Sequence, residues 1–262
     1  MTHGIDVSEH QGIIDWEKVK GNIDYAIIRA GYGKNHIDRQ FVRNISECNR
    51  LGIPCGAYWF SYALNADEAK AEADYCIEAL KPYKVDYPVA FDFEYDSANY
   101  AKKQGVVLTP SLVQSMASAF LLEIEAAGYF AANYSNPDFI NRYFGAALHQ
   151  RFGLWLASWP KSVNAAKPPM TCVMWQYGGA QYAGITGNVD SNYCYHTFVA
   201  EAQGNTAATV TANTQVGDWQ RTATQSAINN GLLTDTAWLE KCAQPATVGF
   251  VCEIANRLKG AK

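Results

Sequence analysis

Two acidic residues, Asp92 and Glu94, end an apolar run in the stretch PVAFDFEYD at positions 88–96. In an extended strand, side chains two positions apart lie on one face, so both carboxylates point the same way and Phe93 points the opposite way. Burial and mutual repulsion disfavour ionising such a pair and raise at least one pKa. The pair could therefore do acid chemistry, but from these residues alone a solvated strand end is an equally good interpretation.

Further polar residues occupy equivalent places along the chain. If the apolar runs are parallel strands, their C-terminal ends carry Asp6, Arg29, Tyr58, Asp92 with Glu94, Tyr134, Trp155, Gln176 and Asp190. In a closed barrel the last strand pairs with the first, which makes Asp6 and Asp190 neighbours. Four carboxylates are then expected on one rim.

A group of carboxylates among aromatic residues fits two kinds of chemistry. One is a divalent-metal site with oxygen ligands, and the other is glycoside hydrolysis, in which one carboxyl group stays protonated. The five histidines do not cluster at the strand ends, and the sequence holds 16 Tyr and 7 Trp, whose flat rings suit stacking on sugars. We expect a sugar site with no metal and no cofactor.

The elements that position these residues alternate along the first 200 positions. Eight strands are predicted, at 4–8, 25–33, 53–60, 87–94, 129–136, 153–159, 172–177 and 188–194. Helices are predicted at 66–81, after Asn65 as N-cap, and at 110–127, which opens on Pro110. Five β/α units followed by three plainer strands indicate an α/β fold, a modified TIM-like barrel with its site at the C-terminal strand ends.

The composition changes after residue 200. Residues 1–200 form the predicted barrel, 201–214 a linker rich in Ala, Thr and Asn, and 215–262 a small helical module. The order of Trp, Ala, Gly and Pro in this module faintly resembles a surface-layer-homology-type repeat. The resemblance implies attachment to the bacterial cell wall, with packing or self-association as the alternative.

Net charge, hydropathy and cysteine spacing limit the kinds of binding partner that the protein can have. The net charge of −4 offers no basic surface for nucleic acid, and no apolar run is long enough to span a membrane. The seven cysteines are scattered without C-x-x-C or Cys/His ligand spacing, so we expect most of them to be reduced core residues. Neither a nucleic acid nor a membrane partner is expected.

Eight short motifs together resemble one family. In order and spacing, GIDVSEHQGIIDW, AIIRAGYG, GAYWFSYA, AFDFEYD, ANYSN, LWLASW, MWQY and GNVDSNY, between residue 4 and about residue 198, resemble glycoside hydrolase family 25, the muramidases that cleave bacterial peptidoglycan. The resemblance implies hydrolysis of the β-1,4 bond between N-acetylmuramic acid and N-acetylglucosamine.

The same resemblance implies roles for the residues at the strand ends. Glu94 is expected to be the general acid, and Asp92 to orient the substrate's 2-acetamido group in a retaining, substrate-assisted mechanism. Asp6 and Asp190 are the expected supporting carboxylates. The expected substrate-binding residues are Arg29, Tyr58, Tyr134, Trp155 and Gln176.

Family-18 chitinases also use a D-x-E pair, within the longer pattern D-x-x-D-x-D-x-E. Here Ala90 and Tyr87 stand where the two additional acids would be. Peptidoglycan is therefore the better expected substrate than chitin.

The start of the sequence lacks a basic segment followed by an apolar one. We therefore expect synthesis in the cytoplasm without a signal peptide and action on the cell wall after release, as in a phage or prophage endolysin. The alternatives are a secreted bacterial lysozyme, a non-catalytic peptidoglycan-binding barrel and a structural wall-anchoring protein.

Overall fold

Eight strands close a barrel in the computed structural model, which describes residues 1–160 and 167–198. The strands of the described residues are β1 (Thr2–Val7), β2 (Tyr25–Tyr32), β3 (His36–Ile37), β4 (Cys55–Phe60), β5 (Val89–Asp92), β6 (Ala131–Ser135), β7 (Leu154–Ala157), β8 (Met174–Gln181) and β9 (Asn188–Cys194). All eight predicted strands are present, and β3 is an addition.

The order around the barrel is β1, β9, β8, β7, β6, β5, β4 and β2, and β1 pairs with β2 to close it. The pairings from β1 through β2 and β4 to β8 are parallel. Strand β9 runs antiparallel to both β8 and β1. The fold is the predicted modified TIM-like barrel, in which the last strand returns without a helix.

Helices cover the outside of the first strands. They are α1 (Trp16–Val19), α2 (Phe41–Leu51), α3 (Ala66–Leu80), α4 (Tyr95–Lys103), α5 (Pro110–Ala126), α6 (Pro137–Phe139) and α7 (Gly145–Phe152), with a 3-10 turn at Glu9–Gln11 and a π-helical turn at Ile140–Phe144. The two helices predicted in detail, α3 and α5, end within one residue of their predicted limits.

Their N-terminal caps explain this agreement. The Asn65 side chain accepts a hydrogen bond from the Glu68 amide at 2.9 Å, and the Thr109 hydroxyl accepts one from the Leu112 amide at 3.2 Å. Such caps satisfy amide groups that the first helical turn leaves unpaired. Pro110 occupies the first helical turn, where its missing N–H costs nothing.

The strands separate two apolar layers because successive side chains alternate between the barrel interior and the helices. Trp59, Phe91 and Phe93 are fully buried in the outer layer, between strands and helices. Each such aromatic side chain contributes ~2 to 3 kcal/mol by its removal from water. This layer holds the strand ends in fixed positions relative to the helices.

The inner layer fills the barrel below the rim. Tyr25 and Tyr87 stack there, with ring centroids 4.2 Å apart, alongside Met174. Gly4 faces them on β1, and a Cβ atom at this position would lie 2.6 Å from the Tyr25 ring. Glycine is therefore required two residues before Asp6, because the tyrosine ring takes the space of a side chain.

Two details differ from the sequence-based predictions. Strand β5 ends at Asp92, because Glu94 already caps α4. The two-residue strand β3 forms a hairpin with β2 and was not predicted, since it is too short to show an alternating pattern. The predicted linker at 201–214 and module at 215–262 lie outside the described residues, so both stay predictions.

Other expectations concern the cysteines and membrane segments. Within the described residues, Cys48, Cys55, Cys76, Cys172 and Cys194 are free thiols, and all but Cys172 are buried. They agree with the expectation of reduced core cysteines. No described helix has the length and apolar character needed to cross a bilayer.

Candidate active site

Four carboxylates meet at one rim of the barrel. Asp6 and Asp190 are directly paired residues on the antiparallel strands β1 and β9. Asp92 ends β5 on the opposite side of the barrel interior, and Glu94 follows it at the start of α4. The interactions that shift their pKa values link all four groups, since Asp190 acts on both Asp6 and Glu94, and Asp6 acts on Asp92. The predicted convergence is therefore present.

Asp6 is held by two amide side chains. Gln176 Nε2 and Asn192 Nδ2 both donate to Asp6 Oδ2, at 3.0 and 2.7 Å. These hydrogen bonds favour the ionised form, but burial and the charge of Asp190 outweigh them and raise the pKa of Asp6 to about 7. Asp6 thus has a fixed orientation and a raised pKa.

Asp92 and Glu94 form a second pair of carboxyl groups in hydrogen-bonding contact. Burial, followed by the negative charge of Glu94, raises the pKa of Asp92 well above its ordinary range, although the Arg29 charge opposes this. Burial and Asp190 also raise the pKa of Glu94, but the hydrogen bond from Asp92 lowers it. The Oδ1 atom of Asp92 is buried and has no hydrogen-bond partner among the described residues.

Gln176 connects Asp6 to the aromatic side chains of the rim. Its Oε1 accepts hydrogen bonds from the Tyr134 hydroxyl at 3.0 Å and from Trp159 Nε1 at 3.1 Å. Tyr134 is nearly buried, whereas Trp159 is 58% exposed. The backbone of Ser158 is bound to β8, because its amide donates to the Gln176 carbonyl oxygen and its own carbonyl oxygen accepts from Trp175 Nε1. Trp159 is thus an exposed indole held over the acidic cluster.

Trp155 lies deeper than a cleft wall would. It is 2% exposed and packs edge-on against Tyr134 and Tyr58, with ring centroids 4.7 and 6.1 Å away. Its Nε1 donates to Asn192 Oδ1 at 2.8 Å. Trp155 therefore supports the amide that binds Asp6, and its predicted contact with substrate stays a prediction. Tyr58 is half-buried on the inner face of β4.

Arg29 is near the cluster but its ion pairs lie elsewhere. Its Nε donates to Asp38 Oδ2 at 2.8 Å, and its Nη2 lies 3.2 Å from Glu9 Oε1. Its charge lowers the pKa of Asp92 without forming a salt bridge to it. The ion-pair partners of Arg29 are therefore Asp38 and Glu9, in segments outside the main strands, and its predicted contact with substrate stays a prediction.

Two residues of the site were not predicted, Asn192 and Trp159. Asn192 follows Asp190 by two positions, so strand alternation alone puts it on the same face as Asp190. Trp159 is the last residue of the predicted strand at 153–159, but β7 ends at Ala157, so strand alternation does not place this side chain. Among the described residues, no group of three or more His, Cys, Asp or Glu side chains is arranged to hold a metal ion.

Comparison with known proteins identifies the family of this barrel. The sequence profile of "Glycosyl hydrolases family 25" matches residues 5–187. The chain belongs to family 25. The resemblance carried by the eight motifs is thereby confirmed, whereas the resemblance of residues 215–262 to a surface-layer-homology-type repeat stays a prediction.

Individual family 25 relatives agree with this assignment. The chain is 30% identical to lysozyme M1 of Streptomyces globisporus in an alignment of 203 positions that covers 72% of this chain and 66% of that protein. Among solved structures, a Streptomyces coelicolor lysozyme aligns with a TM-score of 0.64 and 25% identity, over 78% of this chain and 97% of that one.

The modular autolysin LytC from Streptococcus pneumoniae, solved with a synthetic peptidoglycan ligand, aligns with a TM-score of 0.61 and 29% identity. That alignment covers 73% of this chain and 46% of LytC. The chain therefore spans less than two thirds of the length of lysozyme M1 and less than half of LytC. The similarity in both cases concerns the family 25 barrel.

Proposed function

We propose that this protein is an N-acetylmuramidase that cleaves the β-1,4 bond between N-acetylmuramic acid and N-acetylglucosamine in bacterial peptidoglycan. The observation that carries the proposal is the pair of adjacent carboxyl groups Asp92 and Glu94 on a rim that also holds Asp6 and Asp190. Family membership and the names of the relatives, two lysozymes and an autolysin, support this substrate.

Glu94 acts as the general acid and protonates the leaving glycosidic oxygen. Asp92 accepts a hydrogen bond from the N–H of the 2-acetamido group, and its buried Oδ1 has no competing hydrogen-bond partner among the described residues. That hydrogen bond stabilises the ionised form of Asp92, and the adjacent negative charge favours the protonated form of Glu94 that the acid step requires.

The acetamido oxygen then attacks the anomeric carbon as the bond to the leaving oxygen breaks. The positive charge that develops on the acetamido group is stabilised by ionised Asp92. The Glu94 carboxylate accepts a proton from the water that opens the cyclic intermediate, and the configuration is retained. No side chain of the enzyme needs to act as nucleophile. The negative charges of Asp6 and Asp190 act on the pKa values of Asp92 and Glu94, respectively, during this proton transfer.

The test is to digest purified cell walls and identify the new chain ends. The full chain should clear a wall suspension, and reduction followed by mass spectrometry should find N-acetylmuramitol at the new ends. The Glu94→Gln variant is the matched control and should leave the walls intact. New ends that carry reduced glucosamine, or released peptides without new sugar ends, would contradict the proposal.

The biological setting is a separate proposal that depends on the muramidase activity. We assign the protein to lysis of the cell wall from outside the cytoplasm, as a phage or prophage endolysin, with a secreted bacterial lysozyme as the alternative. Binding to the wall through residues 215–262, or self-association through them, belongs to the same proposal.

A further inference from the structure

A groove lies beside α4, next to the four carboxylates of the proposed catalytic site. A cavity of about 280 Å³ begins at Arg29 and Phe60, and it shares Tyr32, Tyr62 and Asp96 with a second cavity of about 410 Å³. Phe60 is paired with Asp92 between β4 and β5, and the charge of Asp96 acts on Glu94. The two cavities therefore form one groove, which lies beside the proposed catalytic site.

The floor of the groove is rigid at Tyr62. The Ser61 amide donates to the Asp92 carbonyl oxygen at 2.7 Å, and the Tyr62 amide donates to Glu72 Oε1 at 2.9 Å. The Tyr62 ring packs against Phe60 and Tyr100, with ring centroids 5.2 Å away in each case. A groove whose shape exists before binding loses little conformational entropy when a ligand enters it.

The far end of the groove carries three basic side chains, and a neighbouring cavity that shares Lys34 is lined by Asp67 and Glu68. Lys34, His36 and Lys103 line this end of the groove, and both lysines are exposed. Neither lysine forms an ion pair with a described residue. Asp96 is the acidic lining residue of the larger cavity and lies toward the catalytic end. The groove thus suits a ligand that is uncharged near Glu94 and carries carboxylates farther away.

We propose that this groove binds the peptide stem of peptidoglycan, with stem carboxylates at Lys34 and Lys103. The inference rests on the proposed muramidase function and extends it. In muramic acid the stem branches from the ring carbon next to the one that bears the acetamido group. A ring whose acetamido group contacts Asp92 therefore directs its stem away from the bond that is cleaved, toward the neighbouring surface.

The dimensions agree with a short peptide. Lys103 lies nine residues after Glu94 along α4, a distance of roughly 13 Å at 1.5 Å per residue. An extended peptide of three or four residues spans about 10 to 14 Å. The terminal carboxylate of the stem thus reaches the two lysines, while the rings of Tyr62 and Tyr100 contact its backbone.

The test compares two soluble glycans of equal length, one with its stems and one whose stems an amidase has removed. The full chain should cleave the stem-bearing glycan with a higher kcat/KM, by about tenfold at low salt, since two solvent-exposed ion pairs each contribute a factor of roughly two to five. The preference should shrink as ionic strength rises.

The double variant Lys34→Gln/Lys103→Gln should lower this ratio to about one. Lys102→Gln, an exposed lysine on α4 that does not line the groove, is the matched control and should keep the ratio. Equal rates on both glycans in the unmodified protein, or a ratio that survives in the double variant, would overturn the stem proposal while leaving the muramidase proposal intact. If neither glycan is cleaved, both the stem proposal and the muramidase proposal are overturned.

Discussion

Gln176 Nε2 donates to Asp6 Oδ2 over 3.0 Å, although the two residues lie 170 positions apart. Because the nitrogen is engaged by Asp6, the amide oxygen of Gln176 faces Tyr134 and Trp159 and accepts from both. One amide therefore joins a buried carboxylate to an exposed indole. This link fixes the position of Asp6 relative to the aromatic side chains Tyr134 and Trp159. Because its indole is exposed, Trp159 is a specific candidate for contact with sugar.

Trp159→Ala should raise KM for soluble peptidoglycan fragments by about tenfold with a smaller change in kcat, because the loss is of ring contact rather than of proton transfer. Trp159→Phe keeps an aromatic face but loses the hydrogen bond to Gln176, and it should recover most of the affinity. Steady-state kinetics of both variants provide the measurement. A drop in kcat at constant KM in Trp159→Ala would place the indole in the chemistry instead.

Trp155→Phe should act on catalysis without affecting binding. The change removes the hydrogen bond to Asn192, whose amide orients Asp6, and leaves a buried acceptor unpaired at a cost of about 1 to 3 kcal/mol of stability. We expect kcat to fall by about tenfold and KM to stay within about twofold. A large increase in KM at constant kcat would instead show direct contact with substrate, as the sequence alone predicted.

Glu72 gives a prediction about stability and pH. Burial raises the pKa of this carboxyl from its ordinary value of 4.5 to about 7. The folded state thus binds the Glu72 proton more tightly than the unfolded state does. The resulting contribution of Glu72 to the free energy of unfolding is complete below pH 4.5 and is lost as the pH rises through about 7. The loss amounts to at most ~3 kcal/mol.

Glu72→Gln cannot ionise and should remove this part of the pH dependence. The melting temperature of the variant relative to the unmodified protein should therefore increase between pH 5 and pH 8.5. Glu78→Gln, an exposed position on the same helix, serves as the control and should show no such change. Parallel melting curves for Glu72→Gln and the unmodified protein across this range would show that Glu72 does not titrate there.

Much of the site follows from local sequence patterns. Strand alternation places Asp92 on the inner face, and closure of a barrel by its last strand places Asp6 beside Asp190. The starts of helices α3 and α5 can likewise be predicted from their N-cap residues Asn65 and Thr109, because a cap involves only a few neighbouring residues.

Contacts between distant segments could not be predicted in this way. The ion pair of Arg29 with Asp38 depends on the path of the chain after the hairpin of β2 and β3. Trp159 reaches Gln176 because the backbone after β7 is bound to β8. Both depend on tertiary packing, about which a motif of a few residues contains no information.

The division of labour between Glu94 and Asp92 is the central claim, and a substrate with an activated aryl leaving group tests it most directly. On peptidoglycan, Glu94→Gln should lose roughly 10²- to 10⁴-fold in rate, as expected when a general acid is removed. Asp92→Asn should be comparably impaired, because an amide cannot stabilise the charge on the acetamido group. Circular dichroism and melting temperature should show that both variants are folded.

An aryl glycoside needs little protonation of its leaving group. The rate of Glu94→Gln on such a substrate, relative to the unmodified protein, should therefore recover by at least tenfold, whereas the rate of Asp92→Asn should not. Recovery of Asp92→Asn alone would contradict the account, because it would assign the general acid to Asp92 and the acetamido partner to Glu94.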